Sequence, residues 1–521
     1  MLSIAQLKRS VSDALKYLKT QKDVTEAEVF ASANENLTVR LNYTSRIPSN
    51  GVEEPKSVES YGLGIRVALK GGDGVKTGFG SEPTNLSLEG VKKALEKARR
   101  GAVLDPEYVS LPKPTGEQPT LTKYHDPVLM SSKGGKLVQA GWASVNRALE
   151  VFQSSEELLG AAKSPDKVKE LGLILGGDVV MLKERMAVGS FHFPSVQTDE
   201  STLIMSFATA MVEDHDAKGT GWGTSPSLSG FAGDSAAEAA RSAIRAIGGQ
   251  RVASGAYRVV LGPQAVAELL EWILMPGLNL NMFYAGASPF LGKMGKKVAS
   301  EEVYLYDDGS AAGLAASKAI TDEGVPTGRT EMIKDGVLKG ALSNYYETQR
   351  ILHDPKGKEK LGVEPSRVAQ GIAPRNGFRT GRGGGRNFDS PPSITPTNLV
   401  LEGRRKRSTE ELMRMVDDGL YIGRLWYTYP VNGITAADFS GTVVGDSYLI
   451  KGGRLAAPIK PNTLRLNDNI LRVINSVLGI GHPPRGTVRW ASDQVTWAPE
   501  VAVEGLRVEE IGEYMEGVYQ R

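Results

Sequence analysis

The chain has 521 residues, with 62 basic and 60 acidic side chains, a net charge of +2, five histidines and no cysteine. Its length suggests about three to four domains with room for large cores. Zero cysteine excludes disulfides, thiolate metal sites and cysteine nucleophiles, and the balanced charge argues against a dedicated nucleic-acid or acidic-membrane surface. In chain order, Met1–Gln21 comes first, with Leu7, Val11, Leu15 and Leu18 at helical spacing between charged residues. This is not the uninterrupted apolar core of a secretory signal, and no later stretch reaches the roughly 18 apolar residues of a membrane span. A soluble, cytoplasmic protein is the expectation.

Short strands are expected at Ala27–Ala33 and Leu37–Leu41. A hairpin follows, Tyr61–Lys70 returning through Val75–Gly80 around Gly71-Gly72-Asp73-Gly74. Ser87 then caps a helix with Leu88, Val91, Leu95 and Ala98 on one face. Prolines recur from Val103 to Pro127, which reads as a connection. Beyond it, Leu137, Trp142, Val145 and Leu149 recur at helical spacing, and Leu171–Leu175 and Thr202–Val212 are strand-like. Lys218–Gly233 is Gly/Ser-rich and reads as a mobile loop, with Asp234 or Ser235 capping the next helix. Tyr257–Leu261 begins a third region, with a helix after Pro263. Arg329–Ile333 and Val337–Leu342 form a hairpin around Lys334-Asp335-Gly336, and Arg367–Pro396 is a Gly/Arg/Pro-rich loop. Ser408 and Glu411 form a capping box, Ser447–Ile450 and Leu455–Ile459 pair around Gly452-Gly453, and Asn467 caps a last helix running to Gly479. Strands and helices mix without a βαβ rhythm, so the fold class is α+β, with a mixed-sheet N-terminal region and a larger hairpin-rich C-terminal domain. The expected domains span residues 1–110, 124–249 and 254–516.

Several chemical motifs fail. Gly292-Lys293-Met294-Gly295 lacks the earlier glycine and the following Ser/Thr of a phosphate-binding loop, and no Gly-x-Ser-x-Gly elbow occurs. Arg379–Arg386 (RTGRGGGR) and Arg404–Arg407 (RRKR) are basic but carry no interleaved aromatics, so they read as solvated loops or as a rim for an acidic substrate. Nucleic acid is therefore not an expected partner. His125, His192, His215, His353 and His482 are too far apart in sequence for one helical turn to bring two of them to a metal. His215, within Glu213-Asp214-His215-Asp216, reads as part of an exposed acidic loop.

The glycine and hairpin segments carry a resemblance. Tyr61–Val67 with Gly78–Ser81, and the helix Ser87–Arg99, resemble the first block of the TldD/PmbA family. Ile320–Gly340, ITDEGVPTGRTEMIKDGVLKG, resembles the family's most specific segment almost position by position. Gly255–Pro263, Thr397–Gly403, Gly419–Ile422 and Pro499–Val508 echo others in the same order, so the resemblance spans nearly the whole chain.

That resemblance implies two kinds of subunit. The TldD kind holds its metal with His-Glu-x-x-x-His on the helix after the Gly-Pro turn, plus a later cysteine. Imidazoles five apart converge only on a widened helical turn. Here the helix reads Pro263–Leu274 without histidine; the positions flanking Glu268 are Ala267 and Trp272, and those flanking Glu271 are Leu270 and Met275. His482–Gly486 occupies the approximate place of the cysteine. The resemblance is thus to a TldE/PmbA-like subunit with no cofactor or catalytic residue of its own. It implies a TldD-type partner that holds zinc, and peptide substrates that are unfolded or ribosomally made. The alternative is a homodimeric peptide- or ligand-binding protein without proteolysis. Candidate peptide contacts are Asp322, Glu323, Thr327 and Arg329, although a hydrogen-bonded turn over Asp322–Gly328 that holds the following hairpin is the preferred reading of them. Trp426 and Tyr427 are further candidates; alternation would put Trp426 and Thr428 on one strand face and Tyr427 and Tyr429 on the other.

Overall fold

A computed structural model describes residues 1–47, 50–72, 74–380, 384–488 and 494–512. Its N-terminal half is one eight-stranded antiparallel sheet. The first half of that sheet holds helix α1 (Ile4–Leu18), strands β1 (Val24–Thr44), β2 (Gly51–Val52), β3 (Lys56–Gly71) and β4 (Gly74–Pro83), helix α2 (Leu88–Arg100) and β5 (Val103–Leu104). The second holds helix α3 (Gly134–Ser154), β6 (Leu173–Ser190), β7 (Gln197–Val212), β8 (Ala217–Ser225) and helix α4 (Asp234–Arg245). The strand order is β5-β4-β3-β1-β6-β7-β8, with β2 on the flank of β1. Each half is a helix, a meander and a closing helix, and the halves join where β1 pairs with β6 from Glu28↔Ser190 to Thr44↔Ile174. The segments expected as separate domains over 1–110 and 124–249 therefore lie side by side in a single sheet.

Alternation explains why β1 is buried almost without a break. Ala27, Val29, Ala31 and Ala33 point to α1 and α2, and Leu37, Val39 and Leu41 continue the same face onto α3 and α4. Glu28, Phe30, Ser32 and Asn34 point the other way, where the C-terminal half covers them. The two strands expected at 27–33 and 37–41 are accordingly one 21-residue strand. Lys218–Gly233 is likewise corrected from a mobile loop: its first part is β8, packed beneath α4. A Cβ on Gly219 would lie 2.1 Å from Ala243 N, and one on Gly221 would lie 2.0 Å from Ser235 O, so these glycines serve close helix approach. The cap of α4 is Gly233, at φ 75°, rather than Asp234 or Ser235. In the hairpin turn, Asp73 lies outside the described residues.

The C-terminal half begins with β9 (Gly255–Leu261) and helix α5 (Pro263–Leu269), followed by β10 (Val303–Asp308), β11 (Arg329–Lys334) and β12 (Val337–Leu338). Helix α6 (Tyr345–His353), the short pair β13 (Gly377–Phe378) and β14 (Ser393–Ile394), and β15 (Asn398–Gly403) come next. Helix α7 (Thr409–Val416) opens on the Ser408/Glu411 capping box and leads to β16 (Gly419–Pro430), β17 (Asp438–Lys451), β18 (Arg454–Pro458) and β19 (Leu464–Asn469). Helix α8 (Ile470–Asn475), β20 (Val477–Ile480), β21 (Arg485–Val488), β22 (Val495–Ala498) and β23 (Val501–Glu510) complete the chain. Strands β12-β11-β10-β15-β22-β21 make one mixed sheet. In the other, β16, β9, β23, β19 and β17 pair in turn, and β16–β17 pairing closes the path into a ring. The architecture is α+β, as its alternating and helical periodicities indicated.

The helix expected from Asn467 to Gly479 is corrected to a short one. Asn467 belongs to β19, Asn469 caps α8 by accepting from Leu471 N and Arg472 N, and β20 follows. The Arg367–Pro396 segment is largely irregular among its described residues, and its Arg379 and Arg386 are not solvated, being 0% and 2% exposed. It lies between the N-terminal sheet and the C-terminal half, with Phe388 packed against Phe30, Met186 and Ile320. Residues 381–383 of the basic run lie outside the described residues.

Candidate functional site

Helix α5 starts where Gly262 N donates to Ile422 O at 2.8 Å, with Pro263 at its first position. After Leu269 the helix widens into a π-turn, Leu270–Leu274, before a 3₁₀ turn containing Pro276. Gln264 supports the neighbouring strand, where a register shift separates Arg424 from Leu425. Its Oε1 accepts from Leu425 N at 2.9 Å, and its Nε2 donates to Leu425 O at 3.2 Å. Ala267, Leu270 and Met275 are buried apolar groups, and Trp272 is 43% exposed. Glu268 accepts from Gln264, and Glu271 accepts from the Thr496 hydroxyl. The residues at these positions do not fit a zinc ion. Among the described residues no three His, Cys, Asp or Glu side chains converge on a possible metal position.

Beside the start of α5 lies a cleft of about 680 Å³ between α4, β8, the β16–β17 pair and the 482–486 segment. Glu238, Arg241, Ser242 and Arg245 all line it, because spacings of three and four place them on one face of α4. Opposite them stand Tyr421 and Tyr448, partners across β16 and β17 with ring centroids 6.2 Å apart. Trp222 and Trp497 contribute apolar wall, and His482 and Glu500 lie at the rim. Arg485 is fixed in place: it forks onto both Glu238 oxygens at 2.7 and 2.5 Å, donates to Trp222 O, and stacks 4.6 Å above the Trp222 ring.

Asp446 sits in the left-handed region at φ 49°, just after the Val443–Gly445 stretch where β17 slips relative to β16. Its Oδ2 accepts from Thr220 Oγ1 at 2.5 Å, while Oδ1 makes no hydrogen bond. Burial pushes its carboxyl up to about 6, against the opposing pull of Thr220 and Arg424. Burial also raises the Tyr421 and Tyr448 hydroxyls above the usual phenol range. Arg424, 9% exposed, lies between the Phe207 and Trp426 rings, and desolvation lowers its pKa.

The residues singled out in sequence are not gathered here. Asp322 and Glu323 are 0% exposed and belong to a layer of charges between the N-terminal sheet and the C-terminal half. Glu323 pairs with Arg66 at 3.3 Å and accepts from Tyr345 N at 2.7 Å. Arg66 and Arg379 both pair with Glu28 at 2.5 Å. Arg386 bridges Asp322 at 3.0 Å and Asp199 at 2.9 Å, while Lys318 pairs with Glu184. Burial pushes Asp322 up to about 6 and raises Glu323, with Arg386 and Arg66 pulling the other way. Thr327 is buried and donates to Lys318 O and Ala319 O. These three therefore serve the turn and the inter-sheet contact, not an accessible peptide surface. Arg379 and Arg386, the two ends of the basic segment, are corrected in the same way, from solvated or rim residues to buried counter-charges.

Arg329 is half exposed, bound to Asp308 at 2.9 Å above the Tyr306 ring. Trp426 and Tyr427 are 49% and 71% exposed and stack at 5.5 Å. The expected alternation fails there: the β16–β17 register shifts between Trp426 and Tyr429, and Tyr427 takes φ 51°, leaving Thr428 buried and both tyrosines exposed. Sequence reasoning did not find the cleft residues Arg241, Arg245, Asp446 and Tyr448. Only the spacing of the two arginines on α4 was a local signal.

Residues 254–510 match the model of the PmbA/TldA metallopeptidase C-terminal domain, and residues 27–102 match that of the PmbA/TldA metallopeptidase domain 1. The chain belongs to the PmbA/TldD family. A metalloprotease TldD homolog of Buchnera aphidicola subsp. Acyrthosiphon pisum is 26% identical over 474 residues, covering 85% of this chain and 86% of the relative. A metalloprotease of Methanocaldococcus jannaschii is 21% identical over 453 residues, covering 84% and 88%. The crystal structure of TldE from Thermococcus kodakarensis superposes with a TM-score of 0.75 at 17% identity, covering 96% of this chain and 100% of that one. This likeness establishes a shared fold. In this chain the Gly262-Pro263 turn and the π-turn carry Ala267, Leu270, Trp272 and Met275 around Glu268 and Glu271.

Proposed function

We propose that this chain is a non-catalytic, TldE-like subunit of a heterodimeric zinc metallopeptidase complex. Its substrates would be unfolded or ribosomally made peptides, handled in the cytoplasm. The observation that carries this reading is α5 with its π-turn at Leu270–Leu274, where Ala267 and Trp272, or Leu270 and Met275, stand at the positions that would need imidazoles. π-Turns occur frequently at functional sites, and the side chains at the motif positions around this one are not zinc ligands. The shared fold with a TldE structure supports the same assignment. In this reading the zinc and the hydrolytic step belong to the TldD-type subunit, and this chain shapes and lines the peptide chamber.

The test is co-expression with a TldD-type subunit, followed by peptidase assay of each subunit and of the mixture. A stable complex that cleaves peptides, with this chain inert alone, is the expected result. A homodimer that ignores the partner and binds peptides without cleaving them would establish the alternative reading. Cleavage by this chain alone, lost in His215→Ala, would overturn the non-catalytic assignment.

A further inference from the structure

The cleft between α4 and the β16–β17 pair has a pattern of used and unused polar groups. Arg485 and Glu238 satisfy one another, and the fork-to-fork geometry leaves neither free for a ligand. Arg241 and Arg245, four residues apart on the same helix face, make no ion pair among the described residues. Across from them the Tyr421 and Tyr448 hydroxyls have no hydrogen-bond partner among the described residues, although both side chains line the cleft. Asp446 Oδ1 is buried without a hydrogen bond, at a backbone position that L-residues seldom adopt. Between these polar groups stand the Trp222 and Trp497 rings. A cleft of this volume that joins aromatic walls to convergent polar groups has the form of a ligand site, here a polar one.

The charges choose the class of ligand. With Glu238 committed to Arg485, the unpaired groups facing the space are two guanidiniums on one side and Glu500 and Asp446 on the other. Arg424 stands behind Asp446 and offsets its charge. The balance favours an anion at the α4 side, and a single carboxylate suits two guanidiniums one helical turn apart. The tyrosine hydroxyls opposite can donate to main-chain carbonyls, and the indole walls suit an apolar side chain.

From this arrangement we infer that the cleft receives the C-terminal end of an extended peptide. Arg241 and Arg245 hold the terminal carboxylate, Tyr421 and Tyr448 bond the adjoining main chain, and Trp222 and Trp497 flank the last side chain. The inference rests on the peptide-handling role proposed above and adds the terminus and the residues that select it.

The test uses the full chain and two probes, N-terminally fluorescein-labelled Ala-Ala-Ala-Phe with a free carboxylate and the same peptide as its C-terminal amide. Fluorescence anisotropy should show the amide binding at least about tenfold more weakly, because it lacks the charge two arginines recognise. The double variant Arg241→Gln/Arg245→Gln should bind the acid as weakly as the amide. Both arginines are exposed, so its urea midpoint should equal that of the parent. Tyr421→Phe should weaken both probes alike. Equal affinity for acid and amide, no binding of either, or an unaltered preference in the double variant would each overturn the inference. Association with a TldD-type subunit is scored separately. A stable, active complex whose subunit here ignores the terminus refutes the carboxylate site alone, whereas no complex at all refutes the proposed function.

Discussion

Replacing Arg386 by Met tests whether the charged layer between the two halves holds the molecule together. The Arg386 side chain is 2% exposed, bonds Asp199 at 2.9 Å, pairs with Asp322 at 3.0 Å and donates to Ile320 O. Methionine keeps much of the stem volume but removes the charge, leaving two buried carboxylates short of a cation. Breaking a buried ion pair from one side costs about 3–5 kcal/mol. The low end applies, because Asp199 retains bonds from Ala319 N and Tyr124 OH, and Asp322 retains one from Arg379 N. With an unfolding entropy near 2.1 cal/mol/K per residue, a cooperative chain of 521 residues loses roughly 3 °C of Tm for about 3 kcal/mol.

The loss also has a pH signature. Burial already holds Asp322 at about 6, above its unfolded value of 3.8, so the folded state binds the extra proton. Such a group costs stability as pH rises through that window, and removing Arg386 extends the window upward. The deficit of Arg386→Met should therefore be larger at pH 8 than at pH 5. Arg404→Met is the control: that side chain is 58% exposed and pairs with Glu301 at 3.0 Å, an interaction worth less than about 1 kcal/mol. Thermal melting by circular dichroism at both pH values decides the matter. Equal shifts for the two variants, or a change below about 1 °C for Arg386→Met at both pH values, would refute a stabilising role for the buried layer.

Three further outcomes are expected. Asp446, held at about 6 against 3.8 when unfolded, should make the parent chain lose stability between about pH 4 and pH 6 relative to Asp446→Asn. The difference between their urea-derived stabilities should approach about 3 kcal/mol, and parallel pH curves would contradict it. Gly64→Ala would bring a Cβ to 2.3 Å from Phe388 O, so about 1–3 kcal/mol should be lost as the covering segment is pushed off the sheet; an unchanged denaturation midpoint would contradict that packing. The chain purified alone and dialysed against trace zinc should retain well below one equivalent by elemental analysis, and stoichiometric retention would contradict the ligand-free reading of α5.

Much of the fold was legible where a residue's partners are close in sequence. The amphipathic stripes of α1 and α2, the hairpins at Asp335-Gly336 and Gly452-Gly453, and the capping box at Ser408 are local statements and formed. Even so, Leu88 of α2 is half exposed, Ser87 makes no side-chain cap bond, and the return strand expected over Val337–Leu342 ends at Leu338. The lack of imidazoles on the motif helix was also legible from the residues of Pro263–Leu274, and the lack of a thiol from a composition without cysteine. Misreadings arose where glycine or arginine answered to a distant partner. Gly219 and Gly221 resembled loop residues because α4, which lies against them, is not encoded in their own neighbourhood.

The sequence by itself determined the family, the α+β class and the absence of a complete metal-ligand set in the motif, because these depend on residue identity and short-range periodicity. Tertiary structure alone decided that Arg379 and Arg386 are buried counter-charges, since their partners Glu28 and Asp199 lie far away in the chain and meet them only when the C-terminal half covers the sheet. It also decided the cleft, where Arg241 and Arg245 from α4 face Tyr421 and Tyr448 from another sheet. Side-chain alternation dictates which face of a strand a residue occupies; the docking of one sheet on another dictates what that face meets.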